Sequence, residues 1–163
     1  MIESWHVREA LRSRFGSALV DQPGMWDKTA SLLQNYAPYR DTFEGLAAKV
    51  EDAVFNAVYE QLGPSMGAVM EDGTVRRIRT AEMKDAADDV MGVLFDSLKV
   101  YSVTYDALNA YCMATGSFSA LRVLYTRFGE FVTPAERRVM ARVIRDTRPR
   151  SDWESFLDPE DRQ

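Results

Sequence analysis

The chain has 163 residues, of which 46% are hydrophobic and 28% charged, and its formal net charge is −5. This composition excludes wholesale disorder, because disordered chains combine low hydrophobicity with high net charge. The single cysteine, Cys112, excludes an internal disulfide framework, and the single histidine, His6, excludes zinc sites built from several imidazoles. A chain of this length is expected to form one domain.

Helical spacing of apolar residues dominates the first third of the chain. A first helix is predicted over residues 3–13, where Val7 and Leu11 share one face. A second helix is predicted over residues 25–36 and ends before a proline. Asp41 is expected to cap the third helix, with Glu44 completing a capping box three residues later.

The segment over residues 67–79 is the one strand-like part of the chain. Asp72 and Gly73 lie between two runs that contain β-branched residues, a pattern that predicts a short hairpin. A fourth helix is then expected to begin with Thr80 as its cap and to reach about Tyr101.

Caps and breakers also delimit the elements of the last third. A fifth helix is expected to start at Thr104, and Ser117 is expected to cap the sixth. Thr133, Pro134 and Glu136 form the clearest helix start of the chain and introduce the seventh helix. Its expected buried face contains Val139, Met140, Val143 and Ile144.

The spacing therefore predicts an all-α, single-domain bundle of about seven helices with a small β-hairpin near residues 67–79. Whether the helices run up and down or cross as in globins stays open. The helical domain is expected to cover residues 1–150. Residues 151–163 are expected to add a short helix, capped by Ser151 with Glu154, and a frayed acidic tail from residue 160 onward.

Charge is segregated along the sequence. Residues 117–150 carry eight arginines and three acidic side chains, whereas residues 151–163 carry five acidic side chains and one arginine. Two interpretations compete for the arginines. In the first, they form a solvated helix face and pair in part with the acidic tail or the fourth helix. In the second, they contact an external anion such as an acidic protein or a nucleic acid.

The favoured function is that of a non-catalytic binding or regulatory protein that acts through a protein–protein interface. No nucleotide-binding or nucleophile-elbow motif is present, and no set of metal ligands is complete. The protein is expected to have no cofactor, to be cytoplasmic, to have no membrane segment, and to bind a protein partner or a second copy of itself. The expected interaction surface contains Arg137, Arg138, Arg142, Arg145, Arg148 and Trp153.

Two other functions stay open. A helix-turn-helix over residues 105–128, with a basic helix over residues 134–148, would bind DNA through Ser119, Arg122 and Arg127. A magnesium-dependent, all-α nucleotide hydrolase would use acidic side chains of the fourth helix that lie three or four residues apart. These are Glu82, Asp85, Asp88 and Asp89.

Overall fold

A computed structural model describes residues 1–37, 40–98 and 102–163, except for the side chains of Leu98, Ser102, Val103, Thr104 and Ser119. These residues are mostly helical and contain one two-stranded antiparallel sheet, so the predicted all-α class with a small hairpin insertion is confirmed. The chain divides into two compact units, Met1–Leu98 and Lys99–Gln163. The domain boundary that the sequence predicts at residue 150 stays a prediction.

The described residues of the first unit form five helices and the hairpin. Helix α5 packs against α4 and α1, and α3 packs against the same two helices. Val7, Leu11 and Phe15 are fully buried, as the spacing of the first helix predicts. The elements are α1 (Ser4–Phe15), α2 (Ser17–Val20), α3 (Asp27–Gln34), α4 (Phe43–Leu62), β1 (Gly67–Val69), β2 (Val75–Arg77) and α5 (Glu82–Leu98).

Two helix starts in this unit differ from the sequence prediction. Thr42, not Asp41, caps α4, because its hydroxyl accepts a hydrogen bond from the Gly45 N–H at 3.0 Å. The Asp41 carboxylate instead accepts a hydrogen bond from the Ala37 N–H at 3.2 Å. Helix α5 begins at Glu82, two residues after Thr80. Tyr101, which was expected at its end, lies outside the described residues.

The hairpin has the predicted turn. Strands β1 and β2 pair Gly67 with Arg77 and Val69 with Val75. Gly73 has a φ of 84°, a conformation that residues with a side chain rarely adopt. Gly16, between α1 and α2, also has a φ of 84°, and a Cβ atom there would lie 3.4 Å from the Val69 carbonyl oxygen. This glycine lets the α1–α2 corner approach the hairpin closely.

Residues 102–163 of the second unit form four helices and a short 3-10 helix. Helix α7 packs against α6 and α8, and α8 also contacts α9 and the 3-10 helix. The predicted caps Ser117 and Thr133 both accept hydrogen bonds from backbone N–H groups of the helices that follow them. The elements are α6 (Ser102–Thr115), α7 (Phe118–Arg127), α8 (Pro134–Thr147), α9 (Arg150–Trp153) and the 3-10 helix Pro159–Arg162.

The end of the chain departs from the prediction of a frayed tail. Residues 159–162 form the 3-10 helix, and Asp161 is only 9% exposed. Helix α9 begins at Arg150 after Pro149, with no side-chain cap, so the capping box expected from Ser151 and Glu154 is wrong.

Across both units, no described helix has the length and apolarity needed to span a membrane.

Candidate functional site

Helix α8 is the element that carries most of the predicted interaction residues. Its first turn is fixed by a reciprocal capping box, in which Thr133 and Glu136 each accept a hydrogen bond from the other's backbone N–H. The Tyr105 hydroxyl also donates to the Glu136 carboxylate at 3.3 Å. Hydrogen bonds from the Thr133 backbone and side chain keep the pKa of Glu136 below its ordinary value. The start of α8 is therefore fixed by its own capping box and by the hydrogen bond from Tyr105.

The buried face of α8 differs from the expected one. Met140, Ala141 and Ile144 are buried, whereas Val139 is 59% exposed and Val143 is 38% exposed. The prediction that Val139 and Val143 belong to the buried face is therefore wrong. The helix has two adjacent apolar stripes. The stripe with Met140 and Ile144 is buried within the second unit, and the stripe with Val139 and Val143 is exposed.

Arg137 and Arg145 bind the end of the chain. The Arg137 guanidinium lies 3.1 Å from the Asp158 carboxylate and 4.1 Å from the centre of the Tyr125 ring. Arg145 donates to the backbone carbonyl of Asp161 at 2.9 Å and also to the carbonyl of Gln163. These contacts match the interpretation in which part of the arginines pair with the acidic tail.

Arg148 and Trp153 also have partners within the second unit. The Arg148 guanidinium lies 4.8 Å from the centre of the Phe118 ring. Trp153 is 6% exposed, and its indole N–H donates to the Arg148 carbonyl at 3.2 Å. Four of the six predicted interaction residues thus stabilise this unit, and Trp153 offers little surface to a partner.

The two remaining arginines point to a smaller surface. Arg138 and Arg142 are exposed, and neither forms an ion pair or hydrogen bond through its side chain within the described part of the chain. They alternate with the exposed valines, because residues three or four apart share a helix face. We call this surface the outer α8 face. It consists of Arg138, Val139, Arg142 and Val143.

The predicted DNA-contacting residues lie on or beside α7, which is largely a core helix. Leu121, Leu124 and Tyr125 are buried. Arg122 is exposed, but its guanidinium lies 5.5 Å from the centre of the Phe156 ring, and Arg127 is exposed with a partner of its own. The side chain of Ser119 lies outside the described structure. Among the described side chains of α7, the exposed ones are Arg122, Thr126 and Arg127.

Two acidic residues of α5, Glu82 and Asp89, form ion pairs with arginines. The Arg14 guanidinium lies 2.7 Å from the Asp89 carboxylate, and Arg76 lies 2.7 Å from Glu82. Burial by itself would raise the pKa of Glu82, but hydrogen bonds from the Arg79 N–H and the Arg76 guanidinium outweigh burial and lower it.

The other two acidic residues of this set have partners as well. Asp88 is 5% exposed, and both Asp85 and Asp88 have interactions within the structure. Among the described residues, no three His, Cys, Asp or Glu side chains come together as a metal ion would require. All four carboxylates therefore have partners within the structure, and two of these partners are Arg14 and Arg76.

The lone histidine and cysteine lie in different units. His6 accepts a hydrogen bond from the Glu3 N–H at 2.9 Å, and its ring stacks on Trp5 with centroids 3.8 Å apart. Cys112 is buried in α6 at 5% exposure. Their local contacts are those of a helix start and a helix core.

Three residues of the second unit were not identified from the sequence. The Tyr125 hydroxyl donates to the Asp161 carboxylate at 2.5 Å and accepts a hydrogen bond from the Asp158 N–H at 3.0 Å. These residues decide which arginines of α8 stay available. The one sequence signal for them is the acidic tail itself.

The chain matches no protein-family model, no curated protein and no solved structure.

Proposed function

We propose that the protein is a non-catalytic binding protein whose outer α8 face binds an acidic, amphipathic helix of a partner protein. One observation carries the proposal: Arg138 and Arg142 are exposed without an acidic partner among the described residues, beside exposed Val139 and Val143. The other arginines that were expected at the interface, by contrast, have partners within the second unit.

The spacing of this face suits a helix as the binding partner. Val139 and Val143 lie one turn apart, and so do Arg138 and Arg142, which gives a ridge of apolar and basic side chains along α8. A second helix packs along such a ridge by placing its own side chains into the grooves. Arginine forms forked, charge-assisted hydrogen bonds with carboxylates. Acidic side chains that flank an apolar stripe on the partner would satisfy both features.

A second copy of the chain fits this face less well. In a two-fold interface the same patch meets itself, so residues near the centre of the contact approach their own counterparts. Arg142 lies between Val139 and Val143 along the helix. A symmetric pairing of α8 would therefore bring arginines of the two copies together.

Among the described residues, no set of His, Cys, Asp or Glu side chains is assembled as a metal site would require, which supports a binding role over a metal-dependent enzymatic one. Of the four carboxylates that could serve a hydrolase, Asp89 pairs with Arg14 and Glu82 pairs with Arg76. We also propose a cytoplasmic location, which the buried free thiol of Cys112 supports because reducing compartments keep such thiols unoxidised.

Site-specific photocrosslinking tests the proposal in cells that express the full chain. A photoreactive amino acid at Val139 should crosslink to one protein, within a segment rich in Asp and Glu with helical apolar spacing. The same amino acid at Val75, an exposed valine of the hairpin, is the matched control and should not capture that segment. Mass spectrometry of the crosslinked peptide identifies the segment.

Charge reversal measures how much the two arginines contribute to binding. The double variant Arg138→Glu and Arg142→Glu should weaken binding of a synthetic peptide of the captured segment by at least about tenfold, because attraction becomes repulsion. Arg77→Glu with Lys84→Glu makes the same change in net charge at exposed residues of the first unit and should leave binding nearly unchanged. Equal affinity of the two variants, or crosslinks only to a second copy or to nucleic acid, would refute the proposal.

A further inference from the structure

The first unit contains a cleft between α3 and α4, far along the chain from α8. It has a volume of about 470 Å³, and its lining includes Lys28, Leu32, Tyr36, Arg40, Leu46 and Lys49. We propose that this cleft binds a small organic anion with a flat apolar body. The ligand would be distinct from the partner of α8, and the inference does not depend on the proposed function.

Three basic side chains line this cleft in a unit that is otherwise acidic. Residues 1–98 contain ten basic and sixteen acidic side chains, a formal charge of −6. Lys28 comes from α3, Lys49 comes from α4, and Arg40 comes from the segment between them. Asp41 is the one acidic residue among the described lining residues. The cleft therefore concentrates positive charge that the unit as a whole lacks.

The two lysines differ from three arginines of this unit that form close ion pairs. Arg12, Arg14 and Arg76 each form an ion pair at 2.9 Å or less. Lys28 and Lys49 form no ion pair with any residue that the structure describes. The start of α4 also contributes to the lining, and a helix N-terminus carries a partial positive charge of roughly half an elementary charge. These groups favour an anion over a neutral ligand.

Part of the wall of the cleft is apolar and aromatic, beside the polar residues Ser31, Asn35 and Thr42. Leu46 is 6% exposed, Leu32 is half-buried, and the Tyr36 ring stacks on Phe43 with centroids 5.2 Å apart. Burial, together with the charges of Asp41 and Glu44, raises the pKa of Tyr36 to about 12. The Tyr36 hydroxyl thus keeps its proton at neutral pH. It has no hydrogen-bond partner among the described residues, so it is available to donate to a ligand.

The combination of size and lining defines the ligand class. Clefts of roughly 300–1,000 Å³ with apolar walls and a few placed polar groups are typical of small-molecule sites. An anionic group would lie near Lys28 and Lys49, and a flat apolar body would contact Tyr36 and the half-buried Leu32. A bare inorganic anion would leave the apolar wall without a partner.

Titration of the full chain with naphthalene-1-sulfonate, an aromatic sulfonate, tests the proposal. Binding is followed by the shifts of backbone amide signals in NMR spectra. The signals of residues in α3 and at the start of α4 should shift most. Inorganic phosphate, which has charge without a flat body, and 2-naphthol, which has the body without the charge, should each bind at least about tenfold more weakly.

Variants locate the binding site. Lys28→Gln with Lys49→Gln should weaken binding of the sulfonate by at least about tenfold, because two charge-assisted contacts are lost. Tyr36→Phe keeps the ring and removes the hydroxyl, and it should weaken binding by about two- to tenfold. Arg77→Gln with Lys84→Gln removes the same charge elsewhere in the unit and should have little effect.

Three outcomes would overturn the proposal. The first is an absence of sulfonate binding at millimolar concentration. The second is equal weakening by the cleft variants and by the Arg77 and Lys84 control. The third is phosphate binding as tight as sulfonate binding, which would show that charge alone attracts the probe.

Discussion

At the scale of single residues, the Tyr125 hydroxyl makes the most consequential contact of the second unit. It donates to the Asp161 carboxylate and accepts from the Asp158 N–H, while the Arg137 guanidinium lies over its ring. The side chain is 1% exposed, so water cannot replace these partners. An unpaired polar group in such a place costs about 1–3 kcal/mol. The contact therefore holds the end of the chain against α7.

This contact predicts a loss of stability at high pH. Burial, and the hydrogen bond to Asp161, raise the pKa of Tyr125 from 10.0 to about 12 in the folded protein. Between these two values the folded state binds more protons than the unfolded state. The free energy of unfolding should therefore be fully retained below about pH 10 and should fall as the pH rises toward about 12. Urea unfolding followed by circular dichroism across this range measures the decline.

A matched pair of variants assigns the decline to Tyr125. Tyr125→Phe should lower the free energy of unfolding at neutral pH by about 1–3 kcal/mol and make the alkaline decline shallower. Tyr36, whose pKa is also raised to about 12, should account for part of the remaining decline. Tyr59→Phe changes an exposed side chain and should leave the decline as it is. A decline as steep in Tyr125→Phe as in the unchanged chain would contradict this assignment.

At the scale of elements, the cap of α8 predicts that substitutions of two exposed threonines differ clearly in their effect on stability. Thr133 caps the helix and accepts from the Glu136 N–H, whereas the Thr126 hydroxyl donates to the Arg122 carbonyl within α7. Thr133→Ala should destabilise the protein by about 1 kcal/mol, because a helix N–H loses its acceptor. Thr126→Ala should change stability by less than about 0.5 kcal/mol. Thermal unfolding of both variants measures the difference, and equal effects would argue against a capping role.

Helix starts were predictable where one residue alone could serve as the cap. Thr133, followed by Pro134 and Glu136, leaves no competing start, and the structure confirms it. Asp41 and Thr42 are both good capping residues, and the spacing to Glu44 favoured the wrong one. The choice depends on the Ala37 N–H, which engages Asp41 and which no local pattern reveals.

The buried face of α8 was only partly predictable for a related reason. Val139 and Val143 form one apolar stripe, and Met140 and Ile144 form another beside it. Periodicity alone fits both stripes, so it cannot say which one is buried. The same limit applies to the arginines. Arg145 contacts tail residues that are 16 or more positions away in the sequence, whereas Arg142 is exposed. No local pattern reveals this difference.

At the scale of the whole molecule, charge is distributed unevenly between the two units. The first unit has a formal charge of −6, and the second has ten basic and nine acidic side chains. Within the second unit the near balance is achieved by the acidic end of the chain. Asp158 and Asp161 engage Arg137 and Tyr125, so the tail both compensates the arginine helix and covers part of it. The outer α8 face is the part of the helix that the tail leaves exposed.

Removal of the tail should therefore affect this unit as a whole. A chain that ends at Leu157 lacks the Asp158 ion pair with Arg137, the Asp161 hydrogen bond with Tyr125 and the backbone acceptors of Arg145. Its second unit should lose roughly 2 kcal/mol or more of stability, because buried polar groups lose their partners. Hydrogen exchange should show faster exchange of amides in α7 and α8.

The control for this truncation lies within the tail. Glu160 is exposed in the same 3-10 helix, and its side chain has no partner among the described residues, so Glu160→Ala should leave the exchange of α7 and α8 unchanged. The truncated chain should also bind the α8 partner peptide through Arg138 and Arg142, because neither side chain forms an ion pair or hydrogen bond with the described residues of the tail. Unchanged protection of α7 and α8 after truncation would show that the 3-10 helix rests on the unit without stabilising it. The contacts of Tyr125, Arg137 and Arg145 would then have no measurable energetic role.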